Sequence, residues 1–309
     1  MTSELTIVTY HYVRPIKNSE FPGIKGLELE AFKRQLDFLL NNYSIITTEQ
    51  VIGKVIQNKS IPEKACWLTF DDGYKDHYNY VLPELLKRKI SAAFFPPKVA
   101  IQQNKVLDVN LIHYILSCVQ EIDKLIIDLK ELCINYGLTK SQINYYYKKY
   151  AIPNRFDLAD TIFFKRMLQH VLPKQIKDKV LLILFEKYVG IKEAELSTKI
   201  YMSLDEVKKL VSRGMYVGSH GSMHYWLDKI NYQSQKKDIL SSLEFLEEVG
   251  VPTSNWIMCY PYGAYNENTL SLLKDLGASI GVTTIPRVAN LEIDNPLTLP
   301  RLDTNDFQQ

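Results

Sequence analysis

Short β-forming apolar blocks alternate with amphipathic blocks over the first hundred or so residues and again after residue 200, and the alternation lapses between them. A strand-then-helix rhythm restricts a chain to a largely parallel sheet flanked by helices, either an open doubly wound sheet or a closed barrel. Residues 5–10 form the first block, and Phe32, Leu36, Leu39 and Leu40 then recur at helical spacing. A strand at 44–47, a helix at 48–56 and the apolar strand 65–70 continue the pattern. A helix carrying Val81, Leu82, Leu85 and Leu86 follows, and the strand 92–95 ends at the breaker Pro96-Pro97.

Between about 101 and 200 strand signals are sparse, and Leu111, Ile112, Ile115, Leu116 and Val119 repeat at helical spacing, as do apolar positions over 180–188. Residues 98–199 hold 16 Lys plus Arg against 11 Asp plus Glu, a net +5, so the total of +2 leaves −3 for the rest. The run Tyr145-Tyr146-Tyr147-Lys148-Lys149-Tyr150 reads as a solvated helix face over aromatic packing. Five excess charges spread over such a length make too weak a patch for a nucleic acid. After 200 the rhythm returns with a capping box at Ser203-Leu204-Asp205-Glu206, a strand at 215–219, a helix with Ile239, Leu243 and Leu246, strands at 256–260 and 279–282, and an apolar stretch at 297–299.

With 46% hydrophobic and 23% charged residues and near-zero net charge, the chain is neither disordered nor a polyanion-binding tail. Four cysteines, Cys66, Cys118, Cys133 and Cys259, lack a C-x-x-C pair and read as small core residues. No basic segment leads into an apolar run at the N-terminus, and no segment has the length of a membrane span, so the expectation is a cytoplasmic protein without stable membrane insertion. The oligomeric state stays open.

Two segments carry chemistry, and each follows a strand, where barrels and doubly wound sheets place their sites. In Thr69-Phe70-Asp71-Asp72-Gly73, adjacent carboxylates repel one another and call for a cation or strong hydrogen bonds. An N-cap or a plain turn is the structural alternative. In His220-Gly221-Ser222-Met223-His224, two imidazoles four residues apart fall on one side of a helical turn, a spacing that suits one metal ion. Read alone, the pair could equally be a surface coincidence. Two His and one carboxylate together leave coordination positions open, the arrangement of a catalytic metal.

These residues resemble the motifs of the NodB-type polysaccharide deacetylases, carbohydrate esterase family four. Thr69 to Gly73 is similar to T-F-D-D-G, whose first Asp is the general base and whose second is a metal ligand, so the resemblance gives those roles to Asp71 and Asp72. His220 to His224 is similar to H-[S/T]-x-x-H, which makes both histidines ligands, with Gly221 standing where a hydroxyl residue is usual. Tyr260-Pro261-Tyr262-Gly263 resembles the Y-P-Y-G branch of the third motif, which lines the substrate groove and implies an oxyanion contact from the Tyr262 amide. His11 resembles the Y-H that ends the first strand in many members, and Arg301 an Arg of some branches, there an electrostatic partner. The last motif's His is absent from Leu297-Thr298-Leu299-Pro300-Arg301, which leaves His11, His77 and His113 as candidates for the general acid, and His77 also as a substrate contact.

The resemblance implies an α/β fold, a distorted (β/α)7-type NodB barrel over residues 1–97 and 201–309, with residues 98–200 as a helical insertion or lid. It implies a divalent metal, zinc above others, and a hydrolase removing an acetyl or formyl group from an amino sugar. The cytoplasmic expectation favours a sugar nucleotide or glycan precursor of surface polysaccharide over a finished polymer, and no nucleic acid. The alternative is a non-catalytic glycan- or partner-binding member of the same fold.

Overall fold

The apolar strands pair in parallel, and the pairing closes into a ring. In the computed structural model, which describes residues 3–154 and 157–306, β1 (Glu4–Tyr10) lies beside β2 (Ala65–Asp71), with Leu5 opposite Ala65 and Tyr10 opposite Phe70. β2 pairs with β3 (Ala93–Phe95), and β3 with β4 (Tyr216–Val217). A single bridge from Ser219 to Met258 hands the circuit to β5 (Trp256–Cys259), which pairs with β6 (Ala278–Val282). A second bridge joins Val282 to Leu299, and β7 (Leu302–Asp303) returns to β1 with Leu302 opposite Val8. This is the expected distorted (β/α)7 barrel, its distortion lying in the two single-bridge joints.

Strand side chains alternate between faces with a period of two, and the alternation sorts the core into two layers. Leu5, Ile7, Ala65, Trp67, Ala93, Phe95, Ile257, Cys259, Ile280, Val282 and Leu299 pack together inside the ring. Their neighbours Val8, Tyr10, Cys66, Leu68, Phe70, Phe94 and Met258 face outward against helix residues such as Phe32, Leu36, Leu85, Leu210 and Leu246. Asp71 continues the inward set of Ala65, Trp67 and Thr69, so parity alone turns its carboxylate into the barrel. The expected capping box forms at Ser203, whose hydroxyl accepts the Glu206 N–H at 3.2 Å while Glu206 accepts the Ser203 N–H at 2.7 Å.

Three local expectations change. The apolar stretch 297–299 is a 3-10 turn over Pro296–Thr298 followed by the bridging Leu299, since Pro296 and Pro300 have no N–H to give a ladder. The strand at 44–47 shortens to Ser44–Ile45. The helix carrying Val81 starts as a π-turn, His77–Val81, before the α-helix Leu82–Arg88.

The barrel unit comprises Met1–Pro15, Gly26–Lys105 and Ser197–Gln309, and a second unit comprises Ile16–Lys25 and Val106–Leu196. The second unit is helical, with helices including Asp108–Cys118, Ile122–Asn135, Lys140–Tyr150, Ala159–Arg166 and Lys174–Val189 around Leu111, Ile115, Leu129, Phe163 and Leu184. Its short segment Ile16–Lys25 comes from a stretch the sequence assigns to the barrel. That segment is held by Lys25 on Asp157 at 2.8 Å and by the Phe21 ring edge-on to Tyr114. The Tyr145–Tyr150 run lies on a helix where Lys149 covers the rings of Tyr145 and Tyr150.

Gly281 marks the closing joint. A Cβ there would meet the Leu297 carbonyl oxygen at 2.1 Å and the Tyr260 hydroxyl at 2.6 Å, and these two groups already share a 2.7 Å hydrogen bond. Gly281→Ala is expected to overpack the joint and cost about 1–3 kcal/mol or more, measured as a lower urea midpoint for unfolding.

Candidate active site

Barrel strands deliver their last residues to one rim, and the ionisable residues of the two sequence motifs meet there. Asp71, at the inner end of β2, is buried beside Arg301, which comes from the segment between the Leu299 bridge and β7. The guanidinium grips the carboxylate with two bonds, Nη1 to Oδ1 at 2.9 Å and Nη2 to Oδ2 at 2.7 Å. Its Nε donates to the Thr283 carbonyl at 2.8 Å, which fixes the plane of the fork. Burial alone would raise the Asp71 carboxyl, but the Arg301 charge and hydrogen bonds outweigh it and hold Asp71 below the ordinary carboxylate range. His11, nearly half exposed, brings Nε2 to 3.9 Å from Asp71 Oδ2.

Asp72, His220 and His224 form a second, adjoining cluster. Each Nε2 lies 3.3 Å from Asp72 Oδ1, and all three residues are buried. His220 Nδ1 is 2.7 Å from the Cys259 carbonyl, which can only accept, so Nδ1 is the donor of that bond and the ring is held with Nε2 turned toward Asp72. The other Asp72 oxygen, Oδ2, accepts the Tyr74 hydroxyl at 2.6 Å, leaving Oδ1 for the cluster. Hydrogen bonds from both imidazoles overcome the burial penalty and hold Asp72 well below the usual range. Burial disfavours protonation of both histidines. It prevails at His224, which is lowered, whereas Cys259 and Asp72 prevail at His220, which is raised well above its ordinary value.

One carboxylate oxygen and two imidazole nitrogens, lying within 4.8 Å of one another, form a donor set that suits a divalent cation and leaves positions open. Ligand atoms of Asp71, His220 and Cys259 lie equally close together. This grouping suits a cation poorly, because Arg301 Nη2 already sits 3.3 Å from Cys259 Sγ and burial raises that thiol, which stays protonated.

The two histidines do not share a helical turn, as their spacing suggests. Residues 220–224 form an irregular loop in which Gly221 has φ +68° and His224 φ +56°, and the two left-handed residues fold the rings together. Asp72 (φ 69°) and Tyr262 (φ 59°) are left-handed as well. Non-glycine residues in this region are strained and concentrate where function fixes a side chain.

The Tyr-Pro-Tyr-Gly segment divides. The Tyr262 ring stacks on Trp226 at a centroid distance of 4.4 Å and meets His224 edge-on at 4.8 Å. Pro261 is buried, and Tyr260 is buried with its hydroxyl on the Leu297 carbonyl, so Tyr260 closes the barrel and has no open face for a substrate. His77, expected as a substrate contact, is fully buried among Phe70, Tyr74 and Phe94 with Nε2 2.9 Å from the His11 carbonyl. Desolvation, opposed by that bond, lowers it to about 4, so it is a neutral spacer that props the His11 backbone. His113 belongs to the second unit.

Sequence reasoning missed Tyr74 and Trp226. Tyr74 stands two residues beyond Asp72, where a look past the motif would have met it; nothing in the sequence marks Trp226 as the partner of Tyr262.

The sequence profile of the polysaccharide deacetylase family matches residues 58–124 and 171–281. The protein YxkH of Bacillus subtilis (strain 168), named for the same family, is 28% identical over 92 residues, which are 30% of this chain; the match spans about a third (33%) of that relative's length. Among solved structures, the Streptococcus pyogenes deacetylase PplD superposes with a TM-score of 0.59 at 18% identity, covering 98% of this chain and 93% of its own. IcaB from Ammonifex degensii gives a TM-score of 0.58 at 18% identity over 97% and 91%. At such identities these structures establish a shared fold.

Arg301→Met is expected to destabilise the barrel by about 3–5 kcal/mol at neutral pH, because the buried Asp71 loses the guanidinium that offsets its charge. Burial then raises the Asp71 carboxyl above its unfolded value, so protonation favours the folded variant, and its deficit against wild type should shrink as pH falls. Urea unfolding at a series of pH values measures both effects.

Proposed function

The chain belongs to the polysaccharide deacetylase family, and from its rim geometry we propose that it is a metal-dependent N-deacylase of acylated amino sugars. The observation that carries this reading is the Asp72–His220–His224 donor set beside the Asp71–Arg301 pair. Zinc fits these ligand types best. A bound divalent ion supplies Lewis acidity, lowering the pKa of a water and polarising an acyl oxygen.

The chain's own residues do the rest. Asp71 accepts the proton of the attacking water as general base, and Arg301 keeps it ionised and aimed. His11, beside Asp71 and open to solvent, returns a proton to the departing amine. The Tyr262 backbone N–H, held by the stack on Trp226, donates to the oxyanion of the tetrahedral intermediate. Family membership supports an acetyl group and a glycan; a formyl group and a nucleotide-linked sugar remain within the same chemistry. The intact base and ligand residues, Asp71, Asp72, His220 and His224, favour an enzyme over a non-catalytic binder.

Incubating zinc-loaded protein with an N-acetylglucosamine oligomer, and with N-acetyl and N-formyl forms of one nucleotide sugar, tests the reading by release of free amine. Activity is expected on at least one, lost on chelation and restored by zinc. Asp71→Asn is expected to lower kcat by about 10²–10⁴-fold while retaining zinc. Near wild-type turnover would remove Asp71 from the base role.

A further inference from the structure

The loop that carries both histidines rests on one face of the helix Tyr232–Glu248. Asp238 is buried, and its two oxygens accept successive loop amides, the Ser222 N–H at 3.0 Å on Oδ2 and the Met223 N–H at 2.8 Å on Oδ1. One turn further along, on the same face, the Ser241 hydroxyl is reached by Ser222 at 3.3 Å, and Ser242 lies 2.7 Å from the Ser219 hydroxyl. Ser219 in turn accepts the Gly221 N–H at 3.2 Å. A Cβ at Gly221 would approach Asp238 Oδ2 to 2.6 Å. In this chain the carboxylate therefore takes up the space that a side chain at 221 would fill.

We propose that Asp238 is a positioning residue for the metal loop: its carboxylate grips the backbone between His220 and His224 and so sets how tightly these two side chains hold a divalent cation. The proposal rests on the metal reading above. Gly221 and His224 are both left-handed, and a non-glycine residue in that region is strained unless its surroundings hold it. A carboxylate accepting two consecutive amides provides that hold, and it must be a carboxylate. An amide of the same shape offers one acceptor and turns an NH2 donor toward the second N–H. Groups that orient metal ligands typically change affinity by about 10–100-fold.

Zinc affinity measured by chelator competition, the visible spectrum of the cobalt-loaded protein and the melting temperature of the metal-free protein are compared for wild type, His224→Ala, Asp238→Asn and Gly221→Ala. Wild type is expected to bind one zinc and His224→Ala to lose it; wild type that binds none overturns the metal reading itself. With that established, Asp238→Asn and Gly221→Ala are each expected to weaken zinc binding about 10–100-fold and to alter the cobalt spectrum, and the double variant to lose less than the product of the two. Wild-type affinity and an unchanged cobalt spectrum in Asp238→Asn, whatever its melting temperature, overturn the proposal.

Discussion

Asp71 and Arg301 stand 230 residues apart in sequence and meet as a doubly hydrogen-bonded ion pair inside the barrel. Neither charge is tolerable there alone, because an unpaired ion in the interior costs several kcal/mol. Their meeting depends on closure of the ring: β2 ends at Asp71, and Arg301 arrives only because Leu299 bridges to Val282 and Leu302 pairs with Val8. The thiol of Cys259, small enough to stand beside the guanidinium at 3.3 Å, completes the lining. A carboxylate held in this way is ionised and fixed in direction before any substrate arrives, and the general base proposed above requires both.

Around this rigid interior the rim is made of turns. Asp72, His224 and Tyr262 all occupy the left-handed region, and their side chains adjoin one another, His224 beside Asp72 at 3.3 Å and the Tyr262 ring on His224 at 4.8 Å. The strain is absorbed by neighbours that leave little freedom. Tyr74 takes the spare oxygen of Asp72, the Cys259 carbonyl orients His220, Asp238 grips the histidine loop, and Trp226 stacks on Tyr262. A strand thus places Asp71, and strained loops held by hydrogen bonds place His220 and His224.

The likeness in fold to these solved structures extends over nearly the whole chain at 18% identity, which is what period-two and helical-period patterning would preserve while individual core residues drift. The second unit obeys the same logic locally. Buried leucines and phenylalanines define its helices, and the charges of Asp157, Lys25 and Lys165 pin its short N-terminal segment.

Much of this was written along the chain. Alternating apolar blocks dictated a parallel sheet with helices, and the contiguous Asp71-Asp72 and His220…His224 segments at strand ends marked the candidate site, since residues close in sequence need no long-range closure to be neighbours. What sequence spacing could not convey was how separated segments meet. It cast His77 and Tyr260 as substrate contacts, but burial turns one into a prop beneath His11 and the other into a bolt across the Leu297 joint. It read the two histidines as a helical turn, but two left-handed residues make a loop of them. It assigned 16–25 to the barrel, but a salt bridge and an aromatic edge draw those residues into the second unit. Local patterning determines elements and their order. The Asp71–Arg301 pair, the Trp226–Tyr262 stack and the Asp238 grip were decided only when the ring closed, because each joins groups whose proximity depends on packing between distant parts of the chain.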